Sequence, residues 1–207
     1  MIINIMAGGP AETLPNFKVF DHADCIWAGV DKGVLTLLEA GIQPDIGIGD
    51  FDSVSDKEWN KIQNSGIKLL KAKSEKDETD LEMAVNWAIS KQPEQIHLYG
   101  ATGGRIDHFL GNLQLLLKPV LEGIDIPIFI EDKQNFLFAA GPGNHAAAKM
   151  EGYKYISFVP ITPTVEGLSL QGFKYPLDDT ALSFGSTLCI SNEFEKDTGH
   201  FSFTKGI

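Results

Sequence analysis

Six short apolar runs alternate with segments of helical periodicity across the first 131 residues, and this alternation limits the possible folds more than any other feature. The runs are typical of buried strands, because each is short and stops at a loop rich in Gly, Asp or Pro. They lie at residues 2–6, 24–28, 44–48, 67–70, 95–99 and 126–130. Strands that alternate with helices predict a Rossmann-like α/β domain, in which right-handed crossovers build a mostly parallel sheet flanked by helices.

The helical segments between these runs are amphipathic. The strongest has apolar residues at i, i+3, i+4, i+7 and i+8 spacing, at Leu81, Ala84, Val85, Ala88 and Ile89. We predict Asp77 as its N-cap and Asp80 near N3, where carboxylates stabilise the helix macrodipole. A later helix is predicted to carry one apolar face, formed by Ile106, Leu110, Leu113 and Leu117.

Helical periodicity stops at about residue 132. Short β-rich runs punctuated by Gly and Pro follow, at residues 153–161, 165–175, 186–191 and 200–204. This pattern is typical of a small antiparallel β domain, and we predict a β-sandwich. The predicted organisation is therefore an α/β domain at residues 1–131 and a β-sandwich domain at residues 132–207.

Composition narrows the possible partners. The net charge is −11, which argues against nucleic acid, since phosphate backbones favour Lys and Arg. No apolar run approaches the roughly 18 residues that span a bilayer, and residues 1–6 are too short for the apolar core of a signal peptide. Cys25 and Cys189 match neither a disulfide framework nor a metal motif. We predict a cytoplasmic protein that binds neither nucleic acid nor membrane.

Two carboxylates end the third apolar run, in the segment Gly49-Asp50-Phe51-Asp52-Ser53. Side chains two residues apart on a strand point to the same side, so Asp50 and Asp52 are predicted to lie together just beyond the strand. Adjacent carboxylates repel each other unless a cation lies between them. Mg²⁺ suits such a pair, because it commonly takes one or two carboxylates plus substrate phosphates. The alternative is an ordinary Asp-rich turn.

The loops after the apolar runs carry glycines and carboxylates that could do chemistry. In a parallel sheet these loops meet at one edge, outside the carboxyl ends of the strands, where ligands bind. The predicted edge gathers Gly8-Gly9, Asp31 with Gly33, Asp50, Asp52, Asp77, Asp80, and Gly103-Gly104 with Arg105 and Asp107. This coincidence across several loops favours a ligand site over a set of unrelated turns.

The loop Gly100-Ala-Thr-Gly-Gly-Arg105 follows a strand and opens a helix. Backbone N–H groups and the positive end of the helix could bind phosphate oxygens there, although the loop is neither a P-loop nor a dinucleotide fingerprint. The planar guanidinium of Arg105 favours a phosphate site over a plain glycine turn. For His108, just beyond the loop, a structural role is the alternative to a nucleotide contact.

In the β half, the segment Ser191-Asn192-Glu193-Phe194 combines a hydroxyl, an amide and an aromatic ring. Such a group could hold a small polar heteroaromatic ring. A β-turn rich in Ser and Asn is the alternative, and from the residues alone it is the favoured one.

Taken together, four segments resemble the thiamin pyrophosphokinases of bacterial type. They are Gly49-Asp-Phe-Asp-Ser53, Lys76-Asp-Glu-Thr-Asp-Leu-Glu82, Gly100-Ala-Thr-Gly-Gly-Arg-Ile-Asp-His108 and Ser191-Asn-Glu-Phe194. The resemblance implies an α/β catalytic domain, a β-sandwich thiamin-binding domain, and a homodimer with active sites between the subunits. It also implies that the pyrophosphoryl group of ATP is transferred to the hydroxyl of thiamin, giving thiamin diphosphate and AMP, with Mg²⁺.

The resemblance further implies roles for single residues. The implied metal ligands are Asp50, Asp52 and Asp80. The implied catalytic residues are Asp31, Asp52, Asp80, Arg105 and Asp107. The implied nucleotide-binding residues are Gly9, Thr102, Gly103, Gly104, Arg105 and His108. The implied thiamin contacts are Ser191 and Asn192.

Two positions depart from the family pattern. Residues 30–33 read Val-Asp-Lys-Gly where many relatives have Ala-Asp-Gly-Gly, so the carboxylate of Asp31 is kept. Cys189 stands where the family pattern leads us to expect a glycine, which bears on the shape of the thiamin pocket.

Two other functions fit the same residues. One is another Mg²⁺-dependent phosphotransferase or a hydrolase at the acidic edge, and a hydrolase would consume ATP without thiamin. The other is a non-catalytic nucleotide or vitamin sensor, which would bind its ligand without forming product and would not need so many carboxylates.

Overall fold

The structure is a computed structural model that describes residues 1–22, 24–71 and 77–207. Lys76, the first residue of the second family-like segment, lies outside the described ranges. The chain forms two compact units, Met1–Phe138 and Ala139–Ile207. The sequence prediction set the domain boundary between residues 131 and 132.

The first unit contains a seven-stranded sheet, which we call sheet A. Its strands are β1 (Ile2–Met6), β2 (Cys25–Val30), β3 (Ile46–Gly49), β4 (Lys68–Lys71), β5 (Gln95–Tyr99), β6 (Ile128–Glu131) and β7 (Phe136–Leu137). They lie in the order β4-β3-β2-β1-β5-β6-β7. The pairings are parallel except that of β7, which returns antiparallel to β6 and keeps the first unit continuous beyond residue 131. The predicted mostly parallel α/β fold is confirmed.

Within the described ranges, four α-helices connect the strands of sheet A. They are α1 (Gly33–Ala40), α2 (Asp56–Asn64), α3 (Asp80–Ile89) and α4 (Ile106–Glu122). Leu37 of α1 packs with Met6 and Trp27 on one face of the sheet. Ile3 and Ile5 point to the opposite face, because side chains alternate along a strand, and they are also fully buried. Both faces of the sheet are therefore covered.

The N-terminus of α3 differs from the prediction. Thr79, not Asp77, is the N-cap: its backbone is extended, and its hydroxyl accepts a hydrogen bond from the N–H of Glu82 at 3.1 Å. Asp80 is consequently the first residue of the helix rather than near N3. A Thr hydroxyl satisfies an unpaired N–H of the first turn as an Asp carboxylate would, so the residue types alone did not separate the two positions.

The predicted apolar face of α4 is buried only in its C-terminal half. Leu117 is buried, together with its neighbours Leu115 and Leu116. Ile106 and Leu110 are 75% and 55% exposed. Leu113 is half-buried. The predicted face is therefore exposed at Ile106 and Leu110 and becomes buried towards the C-terminal half of α4.

The second unit contains a four-stranded antiparallel sheet, sheet B. Its strands are β8 (Gly143–Ala148), β9 (Thr164–Gln171), β10 (Leu177–Ser183) and β11 (Thr198–Phe203), in the order β10-β9-β11-β8. The predicted antiparallel β character is confirmed.

Irregular segments form the second layer of this unit. Residues 153–161 and 186–191, predicted as strands, form no regular strand, and β8 and β10 were not predicted. Ile156 and Asn192 form an isolated antiparallel bridge, and Ile156 and Phe158 pack against the core of sheet B. The apolar alternation at residues 156 and 158 thus reflects inward packing rather than a strand ladder.

Candidate active site

The order of the strands in sheet A reverses between β1 and β5 and so places a topological switch point there. The chain passes from β1 through β2 and β3 to β4 on one side, and then continues at β5 on the other side of β1. Such a switch point is where ligands bind in open parallel sheets. Here the loops after β1 and β5 touch, because the N–H of Gly9 donates to the carbonyl of Gly100 at 2.9 Å.

Three carboxylates meet at the same edge of sheet A. Asp31 directly follows β2, Asp50 directly follows β3, and Asp80 begins α3. One oxygen from each of the three lies within 4.8 Å of the others, and all three residues are half-buried. The expectation that the loops bring their carboxylates together is therefore met at these positions. We call this set the carboxylate triad.

The backbone fixes Asp31 against the loop that carries Asp50. The φ angle of Asp31 is 47°, and its Oδ1 accepts a hydrogen bond from the N–H of Phe51 at 3.2 Å. Gly49 makes this approach possible: a Cβ on Gly49 would lie 2.0 Å from Oδ1 of Asp31. The loops after β2 and β3 are thus interlocked.

The three carboxylates of the triad lie close together, so the negative charge of one disfavours ionisation of another. Burial of Asp31 and the negative charge of Asp80 raise the pKa of Asp31 from 3.8 to about 6, with smaller contributions from Asp50 and Asp52. The hydrogen bond from Phe51 acts in the opposite direction. A nearby cation would reverse the effect of the repulsion and favour the ionised carboxylate.

The raised pKa of Asp31 predicts how the stability of the metal-free protein depends on pH. Between about pH 4 and pH 6 the folded chain holds the Asp31 proton, whereas the unfolded chain has released it. The folded state then binds more protons, so the free energy of unfolding should fall as the pH rises through this range. Urea unfolding of wild type and Asp31→Asn in EDTA, at pH 4.5 and pH 7, measures the effect. The wild type should lose stability relative to the variant, and equal changes in both proteins would contradict the assignment.

Asp52 lies outside the triad among the described residues. Asp50 and Asp52 are neighbours, but strand alternation is not the reason, because β3 ends at Gly49 and the intervening Phe51 has a φ of 60°. The ring of Phe51 is buried against Trp59, with ring centroids 5.2 Å apart. Asp52 is exposed, and its N–H donates to Oδ1 of Asp50 at 3.0 Å. Its predicted role as a metal ligand stays a prediction.

The sequence prediction assigned Asp31 a catalytic role but did not include it among the metal ligands. Its position directly after β2 could have indicated this role. A carboxylate that directly follows a strand was the criterion that identified Asp50 after β3. Asp31 and Phe51, at the contact between the two loops, both have a left-handed backbone, which Phe rarely adopts.

Hydrogen bonds with side chains outside the loop fix the glycine-rich loop after β5. The hydroxyl of Thr102 donates to Oδ2 of Asp132 at 2.8 Å, and both residues are buried. The side-chain amide of Asn112, on α4, donates to the carbonyl of Ala101 at 2.8 Å. Gly103 and Gly104 are exposed at the tip of the loop. Asp132 and Asn112 were not predicted as site residues, although Asp132 directly follows β6 and so lies at the same edge of sheet A.

Arg105 and Asp107 form an ion pair at the start of α4. The guanidinium donates to the carboxylate through Nε at 3.1 Å and through Nη2 at 2.6 Å. This pairing lowers the pKa of Asp107. Both side chains are exposed, as is His108. The guanidinium is therefore held beside the N-terminus of a 17-residue helix, where anions bind readily.

The predicted thiamin contacts lie in the second unit. Asn192 is buried and its amide is engaged: Oδ1 accepts from the N–H of Tyr175 at 3.0 Å, and Nδ2 donates to the carbonyl of Tyr175 at 2.9 Å. Ser191 is exposed with a φ of 60°. A small cleft of about 60 Å³ beside them is lined by Tyr175, Leu177, Leu188, Cys189, Ile190 and Asn192. Asn192 thus shapes the wall of this cleft.

Cys189 is buried in the wall of this cleft. Burial raises the pKa of its thiol, so at neutral pH it is a small, uncharged side chain. The departure from glycine at this position therefore adds apolar bulk to the cleft rather than charge.

Comparison with known proteins identifies a family for both units. The family model "Thiamin pyrophosphokinase, catalytic domain" matches residues 18–128, and "Thiamin pyrophosphokinase, vitamin B1 binding domain" matches residues 145–207. The chain is 47% identical to the thiamine pyrophosphokinase of Bacillus subtilis (strain 168), over 99% of this chain and 95% of that protein.

Solved structures agree with these matches. The crystal structure of the Bacillus subtilis thiamine pyrophosphokinase covers the whole of this chain, with 95% of its own length matched and a TM-score of 0.94. That of the Geobacillus thermodenitrificans thiamin pyrophosphokinase is 46% identical and also covers the whole chain, with 94% of its own length matched and a TM-score of 0.92. The fold and these similarities agree: the chain belongs to the thiamin pyrophosphokinase family.

Proposed function

We propose that the carboxylate triad binds Mg²⁺ and that the pyrophosphoryl transfer of this family takes place beside it. The reaction transfers the pyrophosphoryl group of ATP to the hydroxyl of thiamin and releases AMP. The observation that carries the proposal is that Asp31, Asp50 and Asp80 converge at the edge of sheet A that also bears the glycine-rich loop.

The donor set of the triad fits Mg²⁺. Carboxylate oxygens are the hard ligands that this ion prefers, and its remaining positions are usually filled by water and substrate phosphates. The raised pKa of Asp31 reflects burial and repulsion among the carboxylates, a combination that a divalent cation offsets. Bound there, Mg²⁺ would neutralise negative charge on the phosphate oxygens.

The chain's own residues position the triphosphate. Exposed Gly103 and Gly104 offer backbone N–H groups at the N-terminal end of α4, and the guanidinium of Arg105 stands beside them. Fixed donors of this kind stabilise the charge that develops in phosphoryl transfer, which depends on positioning and electrostatics more than on covalent chemistry. Arg105 would exchange part of its pairing with Asp107 for phosphate oxygens.

The remaining assignments rest on the resemblance to the family. Residues 1–131 would bind ATP and carry out catalysis, and residues 132–207 would bind thiamin, with Ser191 and Asn192 at its ring. Asp52 and His108 would act as predicted, the first near the metal and the second at the nucleotide. A homodimer with active sites between the subunits, and a cytoplasmic location, are the expected setting. Sedimentation velocity at low protein concentration tests the dimer.

Product analysis tests the proposed reaction directly. Purified protein is mixed with ATP, Mg²⁺ and thiamin, and the products are identified by mass spectrometry. Matched samples omit thiamin or replace Mg²⁺ with EDTA. AMP and thiamin diphosphate should appear together, and only in the complete mixture.

The other outcomes would overturn parts of the proposal. ADP and phosphate in the samples with and without thiamin would indicate a hydrolase. Ligand binding without any product would indicate a sensor. Unchanged turnover in EDTA would remove the metal from the mechanism and leave the carboxylate triad with another role.

A further inference from the structure

A carboxylate that lies outside the predicted site is buried behind the glycine-rich loop. Asp132 directly follows β6 and is 7% exposed. Burying an ionised carboxylate is costly unless hydrogen bonds replace its hydration. The contacts of Asp132 therefore indicate what its burial achieves.

The carboxylate of Asp132 has both local and long-range partners. Oδ1 accepts hydrogen bonds from the backbone N–H groups of Gln134 and Asn135 at 2.8 and 2.7 Å, and so closes the turn that leads into β7. The side-chain amide of Asn135 donates to both oxygens, at 3.0 and 3.1 Å. Asp and Asn commonly stabilise turns in this way. Oδ2 also accepts from the hydroxyl of Thr102, 30 residues away in the sequence, and a local turn does not account for this contact.

The long-range contact completes a set of supports for the glycine-rich loop. The carbonyl of Gly100 accepts from Gly9, the carbonyl of Ala101 accepts from Asn112, and the hydroxyl of Thr102 donates to Asp132. Three consecutive residues are thus fixed by the loop after β1, by α4 and by the residue that follows β6. The exposed residues that follow, Gly103 and Gly104, are the ones proposed to face the phosphates.

We infer that Asp132 is a positioning residue for the nucleotide: through the hydroxyl of Thr102 it holds the glycine-rich loop in the shape that binds the triphosphate. The inference rests on the proposed function. Thr102 anchors the loop, because its hydroxyl donates to Asp132.

Positioning and simple stabilisation predict different kinetics. Thr102→Val removes the hydroxyl while keeping the shape of the side chain. It should raise the KM for MgATP by about 3- to 10-fold, the value of one hydrogen bond, and should leave the KM for thiamin unchanged. Thr102→Ser keeps the hydroxyl and should stay close to wild type. If the contact were purely structural, Thr102→Val would lower the melting temperature but would not raise the KM for MgATP relative to the KM for thiamin.

A double-mutant cycle tests whether Thr102 and Asp132 affect nucleotide binding through the hydrogen bond between them. Asp132→Asn keeps an oxygen for the turn and should also weaken nucleotide binding. Both substitutions remove the hydrogen bond between Thr102 and Asp132, so the double variant should bind nucleotide no more weakly than the weaker of the two single variants. Thr204→Val is the matched control, since it removes a hydroxyl that donates to the carbonyl of Glu166 in the second unit at 3.1 Å. Its KM for MgATP should be that of wild type.

Calorimetric binding of α,β-methylene ATP, measured without thiamin, separates this inference from the proposed function. The inference predicts weaker binding by Thr102→Val and Asp132→Asn, with recovery in Thr102→Ser. Unchanged affinity in both variants would overturn it, even if wild type makes thiamin diphosphate. Failure of wild type to make thiamin diphosphate would overturn the proposed function, whatever the variants bind.

Discussion

Asp50→Asn is expected to lower turnover by about 10²- to 10³-fold, because it removes one of the three charges proposed to hold the metal at the phosphates. The metal-free variant should be no less stable than wild type, since the carboxylate it loses contributes to the raised pKa of Asp31. The amide oxygen of Asn can still accept the N–H of Asp52 that Asp50 accepts at 3.0 Å. Steady-state kinetics over a Mg²⁺ titration, together with urea unfolding in EDTA, measures both effects.

Two matched variants make this result interpretable. Asp125→Asn removes an exposed carboxylate that precedes β6 and so lies at the opposite edge of sheet A, and its turnover should equal that of wild type. Asp52→Asn tests the residue that lies outside the triad and should require less additional Mg²⁺ for half-maximal activity than Asp50→Asn. A folded Asp50→Asn protein with wild-type turnover would exclude the triad as the metal site.

Gly49→Ala is expected to disrupt the carboxylate triad by straining the backbone next to Asp50. The φ of Gly49 is 146°, and its new Cβ would lie 2.0 Å from Oδ1 of Asp31. We expect a loss of about 3 kcal/mol or more in the free energy of unfolding, from backbone strain and steric overlap together. Activity should fall as well, because Asp31 must move to relieve the overlap. Urea unfolding and Mg²⁺-dependent turnover are the measurements.

Gly41→Ala is the control for backbone strain. Gly41 also has a positive φ, 84°, but nothing lies within 4 Å of its added Cβ. Its substitution should cost about 1 kcal/mol and leave turnover unchanged. If Gly49→Ala has the same small effect as Gly41→Ala, the interlock between the loops after β2 and β3 does not position the triad.

Much of sheet A could be predicted because parallel strands are buried on both faces. Such strands need continuous apolar runs, as at β1 and β5. Sheet B was harder, since half-buried strands and irregular packed segments both alternate apolar and polar residues. Ile156 and Phe158 alternate with their neighbours as in a strand, but they lie in an irregular segment that packs against the core. Conversely, β8 is a strand that is rich in Ala and lacks the β-branched and aromatic residues typical of strands.

The candidate site was predictable to the extent that it depends on where strands end. Asp31, Asp50 and the glycine-rich loop follow strands, and the structure places them at one edge. The grouping of Asp31 with Asp50, to the exclusion of Asp52, depends on left-handed backbone at Asp31 and Phe51. Non-glycine residues rarely adopt that conformation, although Asp does so more often than most, so the position of a carboxylate after a strand does not predict it.

The hydrogen bond between Thr102 and Asp132 also bears on the order in which the protein is made. The two residues are 30 positions apart, so on a ribosome adding roughly 5–20 residues per second Asp132 follows Thr102 by about 1.5 to 6 s. During that interval the glycine-rich loop exists without one of its anchors. A nascent chain thus acquires this support for nucleotide binding only after β6 has been synthesised and has joined the sheet.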